Sequence, residues 1–272
     1  MKIAVISDIH GNAVALEAVL EDLERRGGAD CLVVPGDLFA FGPEPKAVYT
    51  ILRQLPNARF LLGNTDRYLL TGAYPTKAID DDWQAKLLLS FHWTAERLGS
   101  EGLRFLGTLP PAQRIQEGDR QLLAVHGSPR SDEEGLTPKT GAEHLREMSL
   151  DPQVAVLVGG HTHIPMDRLL NGVRLVNAGS VGLPFDGDPR ACYVIISHLA
   201  APDGRLTQVE FRRVIYDVEK AIKQFYTNGY PAADVSAYNL WTGRSIGSSL
   251  IYTARMRQTK IPVPTAAAYV GV

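Results

Sequence analysis

The chain has 272 residues, 45% hydrophobic and 21% charged, the balance of a folded protein able to bury its own core and not of a disordered one. With 28 Lys and Arg against 30 Asp and Glu, the formal net charge is −2, so no global field draws it to nucleic acid or to an anionic membrane. No apolar run approaches the roughly 20 residues of a membrane helix, Asp8 and His10 interrupt the opening apolar stretch where a signal peptide would continue, and the only two cysteines, Cys31 and Cys192, lie singly in apolar runs as buried thiols of a reducing cytoplasm would.

Residues 2–7 form a continuous apolar run, the pattern of a strand buried on both faces. Asn12 can cap the helix that follows. There Leu16, Val19, Leu20 and Leu23 recur at helical spacing, and Gly27-Gly28 closes the helix. Residues 31–35 read as a strand, 44–55 as a helix with Val48, Ile51, Leu52 and Leu55 on one face, and 58–62 as a third strand. This β-α-β-α-β order with short connections favours a parallel sheet with right-handed crossovers. Residues 67–109 carry Trp83, Trp93 and leucines at helical spacing with no clear strand, so they are expected to be a helical insertion.

Strands resume at 121–125. A helix is expected at 141–148 and a buried strand at 154–158. Residues 168–170 and 173–176 flank Asn171-Gly172, a strong hairpin signal. Residues 191–197 and 206–214 look like a second antiparallel pair around Asp203-Gly204. Parallel units first and hairpins later suggest a mixed sheet or two packed sheets. Past Asp217 the pattern weakens to one helix, 218–226, and a tail, 243–272, with four basic residues and no acidic one. The expected division is a body of residues 1–216, carrying the insertion 67–110, and a C-terminal part, 217–272, that packs on the body or on a neighbouring subunit.

Five short motifs carry the chemistry: Asp8-Ile9-His10, Gly36-Asp37, Gly63-Asn64-Thr65-Asp66, His126-Gly127 and Gly160-His161-Thr162-His163. Each directly follows an expected strand. In an open α/β sheet the loops at the carboxyl ends of the strands converge on one crevice. Two Asp, one Asn and four His would meet there, oxygen and imidazole donors suited to Mn, Fe, Zn or Ni, less well to Mg. Asp8 and His10 are at i and i+2, which on a strand end point the same way, and His161 and His163 repeat that spacing. The neighbouring glycines leave room for a close ligand.

Seven donors are too many for one ion. With a shared carboxylate such as Asp37 they suit two ions about 3.5–4 Å apart, which clamp the attacking and leaving oxygens of an in-line phosphoryl displacement by a bound hydroxide. His92, His144 and His198 fall outside the motifs and are expected to be structural or exposed. Walker, dinucleotide-binding and nucleophile-elbow signatures are absent, as is any Ser-His-Asp motif around Ser7 or Ser180.

In this order the motifs resemble the calcineurin-like metallophosphoesterase superfamily, in particular its small bacterial and archaeal phosphodiesterase branch, over residues 1 to about 215. The resemblance implies an α/β fold, a four-layer α-β-β-α sandwich of two mixed sheets with flanking helices. It implies one metal held by Asp8, His10, Asp37 and His163, and another held by Asp37, Asn64, His126 and His161, with Asp37 bridging. By the same likeness Asn64, Thr65 and His161 take catalytic positions, and Asn64 contacts the substrate. The segments 177–182 and 186–190 resemble family loops beside the site. Arg190 reaches a phosphate or serves as an ion-pair partner.

Many relatives have His where Thr65 stands, credited with protonating the leaving group or holding the phosphate. A threonine hydroxyl donates a hydrogen bond but is a poor proton source, and general acid assistance is worth ~10²–10⁴-fold. The expectation is therefore a phosphodiesterase, better on activated diesters than on monoesters. The alternative is a non-catalytic metal-binding scaffold on the same fold, for which the missing His is the only support. A single-metal oxygenase would leave most of the donors unexplained. The expected partner is a small phosphodiester or nucleotide, without a stable nucleic-acid complex and with a homo-oligomer open through the tail. Specificity is expected to lie in the insertion and in the loop 128–138.

Overall fold

The computed structural model describes residues 1–74, 81–117, 120–148, 150–199 and 206–245. Two five-stranded mixed sheets lie face to face. The first has the order β10-β9-β1-β2-β3, from β1 (Lys2–Val5), β2 (Cys31–Val34), β3 (Ala58–Phe60), β9 (Ala191–Leu199) and β10 (Leu206–Val214). The second has the order β4-β5-β6-β8-β7, from β4 (Ala112–Glu117), β5 (Arg120–Val125), β6 (Val154–Gly159), β7 (Met166–Leu170) and β8 (Val173–Asn177). In the first sheet β1, β2 and β3 are parallel; in the second β5, β6 and β8 are.

Period-two alternation builds the layers. Along β1, Ile3 and Val5 enter the core between the sheets with Val33, Leu122, Val156 and Val176, whereas Ala4 and Ile6 face the helices. That outer layer comprises α1 (Ala13–Arg25), α2 (Pro45–Leu52), α3 (Asn64–Thr71), α4 (Asp81–Leu106), α6 (Val218–Thr227) and α7 (Ala233–Thr242). On the far side Leu123, Leu157 and Leu175 pack with Leu145 of α5 (Ala142–Glu147). The result is the expected four-layer sandwich.

Local signals act as read. Asn12 caps α1, its Oδ1 accepting from Ala15 N at 3.0 Å, and Gly28 N donates to Leu23 O at 2.9 Å to close the helix. The β7–β8 hairpin turns at Asn171 and Gly172, both with positive φ (51° and 82°), the left-handed pair that a two-residue turn requires. The described part of the insertion carries the end of α3 and all of α4, with α4 broken at Gly99 (φ 70°, ψ 178°), and no strand. Cys31 and Cys192 are both buried and unbridged.

Two elements were not expected, β4 beside β5 and α7 beyond α6. The Asp203-Gly204 turn and the tail beyond Ser245 lie outside the described residues, as does the side chain of His198. His92 and His144 are exposed, as expected of histidines outside the motifs. No helix among the described residues is long and apolar enough to cross a membrane.

Candidate metal centre

All five motifs meet where strands β1, β2, β3, β5 and β6 end. Nε2 of His163 lies 3.2 Å from Asp8 Oδ1, and Nε2 of His10 lies 3.6 Å from Asp37 Oδ2. The two Nε2 atoms are 3.1 Å apart, and one donor atom from each of these four buried residues lies within 4.8 Å of the others. The other Asp37 oxygen, Oδ1, faces a second group. It is 3.4 Å from His126 Nε2, which is 2.8 Å from Asn64 Oδ1, and His161 Nδ1 lies 3.1 Å from the same Asn64 oxygen. One carboxylate thus stands between two sets of donors, one oxygen toward each.

The protonation pattern shows what such a cluster accepts. Nδ1 of His10, His126 and His163 faces the carbonyl oxygens of Ala40 (2.8 Å), Pro35 (2.7 Å) and Leu183. A carbonyl only accepts, so each Nδ1 carries the proton in the neutral ring and each Nε2 turns a lone pair into the cluster. Burial, reinforced by His163, lowers the His10 pKa to about 4, against the pull of Asp37 and Asp8. His10 is therefore neutral near pH 7. With both rings neutral, two lone-pair nitrogens 3.1 Å apart beside carboxylates would repel one another, and a cation among them would relieve that repulsion.

Asp8 is fully buried, and burial alone would raise its pKa. His163, with His126 and His10, outweighs burial and holds the carboxyl well below the usual range. Burial pushes His126 down, but Asp37 and Asp8 outweigh it and the net shift is upward, the signature of an anionic site that attracts positive charge. These donors fit a divalent cation, with backbone carbonyls fixing the imidazole tautomers from behind.

The i, i+2 reading of Asp8-x-His10 and His161-x-His163 is corrected by the backbone. β1 ends at Val5 and β6 at Gly159, so the motifs lie beyond the strands. Asp8, His10, Asp37, His161 and His163 all have left-handed φ, between 48° and 67°. Their side chains converge through tight turns, not through strand alternation. Non-glycine residues rarely adopt this region, and holding five there requires surroundings that over-determine them.

Several side chains supply that constraint. Ser180 Oγ donates to Asp8 O at 2.7 Å. Asn177 donates to Gly160 O (2.6 Å) and Thr162 Oγ1 (2.8 Å), bracing the histidine loop. Gly160 is required by close approach, since a Cβ there would lie 2.1 Å from both Asp8 Oδ2 and Ser7 Oγ.

Asp66 is a residue whose role sequence reasoning missed. Its carboxylate accepts N–H bonds from Leu38 (3.0 Å) and Gly63 (3.1 Å), tying the Asp37 loop to the Asn64 loop. Burial, with Asp37 nearby, raises its pKa to about 7, opposed by those N–H groups. Its position three residues after Gly63, in the first turn of α3, was the available signal.

Thr65 N donates to Asp37 Oδ1 at 3.0 Å, and its buried hydroxyl makes no hydrogen bond. Arg190 pairs with Asp188 in its own loop (2.6 Å and 3.0 Å), so contact with a phosphate would require giving up that pair. The insertion and the loop 128–138 are latched together. Arg67 pairs with Asp132 (2.6 Å) and Glu133 (2.7 Å), and Tyr68 donates to Glu133 at 2.7 Å. A Cβ on Gly135 of that loop would lie 3.3 Å from the His161 ring, so the loop borders the site.

The chain belongs to the calcineurin-like phosphoesterase superfamily, whose domain model matches residues 1–199. It is 30% identical to the Methanocaldococcus jannaschii protein MJ0912 over 244 residues, 84% of this chain and 93% of that one. It is 29% identical to the phosphodiesterase YfcE of Escherichia coli over 192 residues, 70% of this chain and 84% of that enzyme. The crystal structure of a metallophosphoesterase from Sphaerobacter thermophilus covers 89% of this chain over its own full length, with a TM-score of 0.68 and 30% identity.

Proposed function

We propose that the protein is a binuclear metal-dependent phosphodiesterase acting by in-line displacement. The observation that carries this reading is the Asp37 carboxylate between two donor sets, Asp8, His10 and His163 on one oxygen and Asn64, His126 and His161 on the other. In this reading all seven side chains would hold the two ions, with Asp37 shared between the two donor sets. Two divalent ions there would lower the pKa of a coordinated water and neutralise phosphoryl charge; Mn, Fe, Zn and Ni suit these donors better than Mg.

The remaining work falls to the chain. His161 is partly exposed and Asn64, at 9%, is the least buried of the other donors, so a phosphoryl group would approach from their side. The Thr65 hydroxyl, buried without a partner, is positioned to donate a hydrogen bond to a phosphoryl oxygen. It cannot deliver a proton to a poor leaving group at neutral pH, which favours activated diesters over monoesters. The superfamily membership and the similarity to a phosphodiesterase support the same class.

The test is turnover of bis-p-nitrophenyl phosphate beside p-nitrophenyl phosphate in Mn²⁺. The expected result is a clear diester preference. A monoester preference refutes the substrate class, and full metal occupancy with no turnover across a diester panel favours a metal-binding scaffold on the same fold.

A further inference from the structure

Beside the donor cluster is a cavity of about 170 Å³, lined by Phe41, Phe185, Ser90, Tyr230 and Ser236 among others. An engineered apolar cavity of about 150 Å³ is enough to take benzene, so one aromatic ring fits. The cavity shares its wall with the site. Phe185 stacks on His163, with ring centroids 4.3 Å apart and 15° between planes, and the Phe41 ring is 5.9 Å from that of His10. Leu183, whose carbonyl fixes the His163 tautomer, lines it too.

The opposite wall comes from elsewhere in the chain. Ser90 lies on α4 of the insertion, Tyr230 between α6 and α7, and Ser236 on α7. Tyr230 and Ser236 lie beyond residues 1–199, the stretch that matches the superfamily. The cavity is thus closed in part by residues beyond the stretch that the superfamily model matches.

An independent feature points to a ligand. Tyr230 is 4% exposed, and its hydroxyl, close to those of Ser90 and Ser236, makes no hydrogen bond of normal geometry to either. Burial holds the phenol near a pKa of about 12, with the Ser90 and Ser236 hydroxyls opposing, so it is a neutral donor at working pH. A buried hydroxyl left unpaired costs free energy, and native structures normally satisfy such groups. Tyr230 is held in place, its ring 5.1 Å from Trp93 and 5.0 Å from Phe225 at steep angles, so it keeps its position on the cavity lining.

We propose that this cavity receives the aromatic ring of one ester group of the substrate, and that a nucleobase, with polar edges for Tyr230, Ser90 and Ser236, matches it better than a plain phenyl ring. The inference rests on the phosphodiesterase reading and assigns its substrate class: a nucleoside phosphodiester whose base lies beyond Phe185 while the phosphate meets the donor cluster.

The experiment compares a nucleoside 5′-(p-nitrophenyl) phosphate, bis-p-nitrophenyl phosphate and methyl p-nitrophenyl phosphate, three diesters with one leaving group. The wild type should favour the nucleoside ester over the methyl ester at least tenfold in kcat/KM, mainly through KM. Val235→Trp, on the cavity lining and outside the donor cluster, should erase that preference while leaving the methyl ester within twofold. Tyr230→Phe should raise KM severalfold for the nucleoside ester alone.

Calorimetry with the methyl ester of a nucleoside 5′-monophosphate on chelated protein reads the cavity without turnover; wild type should bind and Val235→Trp should not. Equal kcat/KM for the three diesters, or equal losses on all of them in both variants, overturns the proposal. Nucleoside binding without turnover of any diester would keep the cavity and sink the activity. Turnover blind to the ester group would do the reverse.

Discussion

Replacing Gly160 with alanine tests how tightly the centre is built. The added Cβ would stand 2.1 Å from Asp8 Oδ2, 2.1 Å from Ser7 Oγ and 2.9 Å from Ser7 Cβ. Neither neighbour can move aside, because Ser7 and Asp8 are both fully buried. Forcing a methyl group into such packing costs about 1–3 kcal/mol, and in a protein of this size each kcal/mol lowers Tm by about 2–4 °C. The metal-free variant should therefore melt about 2–12 °C below wild type. The same displacement pushes on Asp8, a candidate ligand, and disturbing what holds a ligand typically costs about 10–100-fold in metal affinity. Gly107→Ala is the control: there the new Cβ would be no closer than 3.5 Å to its neighbours, and the change should stay within about 0.5 kcal/mol. Thermal denaturation in chelator and Mn²⁺ titration by calorimetry read the two effects separately. A Gly160→Ala protein that melts within about a degree of wild type and binds Mn²⁺ equally well refutes the reasoning.

Other expectations follow from the same geometry. Because only the folded chain assembles the donors, chelation should destabilise it: at an ion concentration 100 times Kd the loss is about 2.7 kcal/mol, or roughly 5–11 °C in Tm, and an unchanged melt after verified metal removal contradicts this. Thr65→His should restore a proton donor and raise the monoester-to-diester rate ratio at least tenfold, within the ~10²–10⁴ range of general acid catalysis; an unmoved ratio would mean that the hydroxyl is not what limits monoesters. Asn177→Ala leaves the Gly160 carbonyl without its side-chain donor and frees Gly179 N, so urea denaturation should show a loss of about 2–4 kcal/mol, and a loss below about 1 kcal/mol would show that the loop is held by other means.

Where burial dictates pattern, the fold could be read from residues alone. β1, β2 and β6 are buried along most or all of their length, so their apolar runs had no competing interpretation. β4, Ala112–Glu117, was missed because its sequence AQRIQE offers one buried apolar residue, Ile115. It is an edge strand held by its ladder with β5, and that pairing leaves no hydrophobic signature in the strand itself. In α7 the residues Ala237 and Leu240 are buried, but Ser236 before them and Tyr238 and Asn239 between them blur the periodicity.

At the site the donor types were legible and the backbone was not. Asp8, His10, Asp37, His161 and His163 sit in a conformation their side chains disfavour, imposed by distant partners such as Ser180 and Asn177, which no local rule anticipates. The role of Asp66 was hidden for a related reason: both of its bonds are to backbone N–H groups, one of them on a loop 28 residues away in sequence. The aromatic cavity could not be foreseen either, since its walls come from four separate parts of the chain.

The proposed function stands on Asp37 being shared by two divalent ions. An anomalous difference map from crystals grown with Mn²⁺ tests it directly. Two peaks are expected flanking the Asp37 carboxylate, one against Asp8, His10 and His163 and the other against Asn64, His126 and His161, with both weakened in Asp37→Asn. A single peak, or none at saturating Mn²⁺, would contradict it.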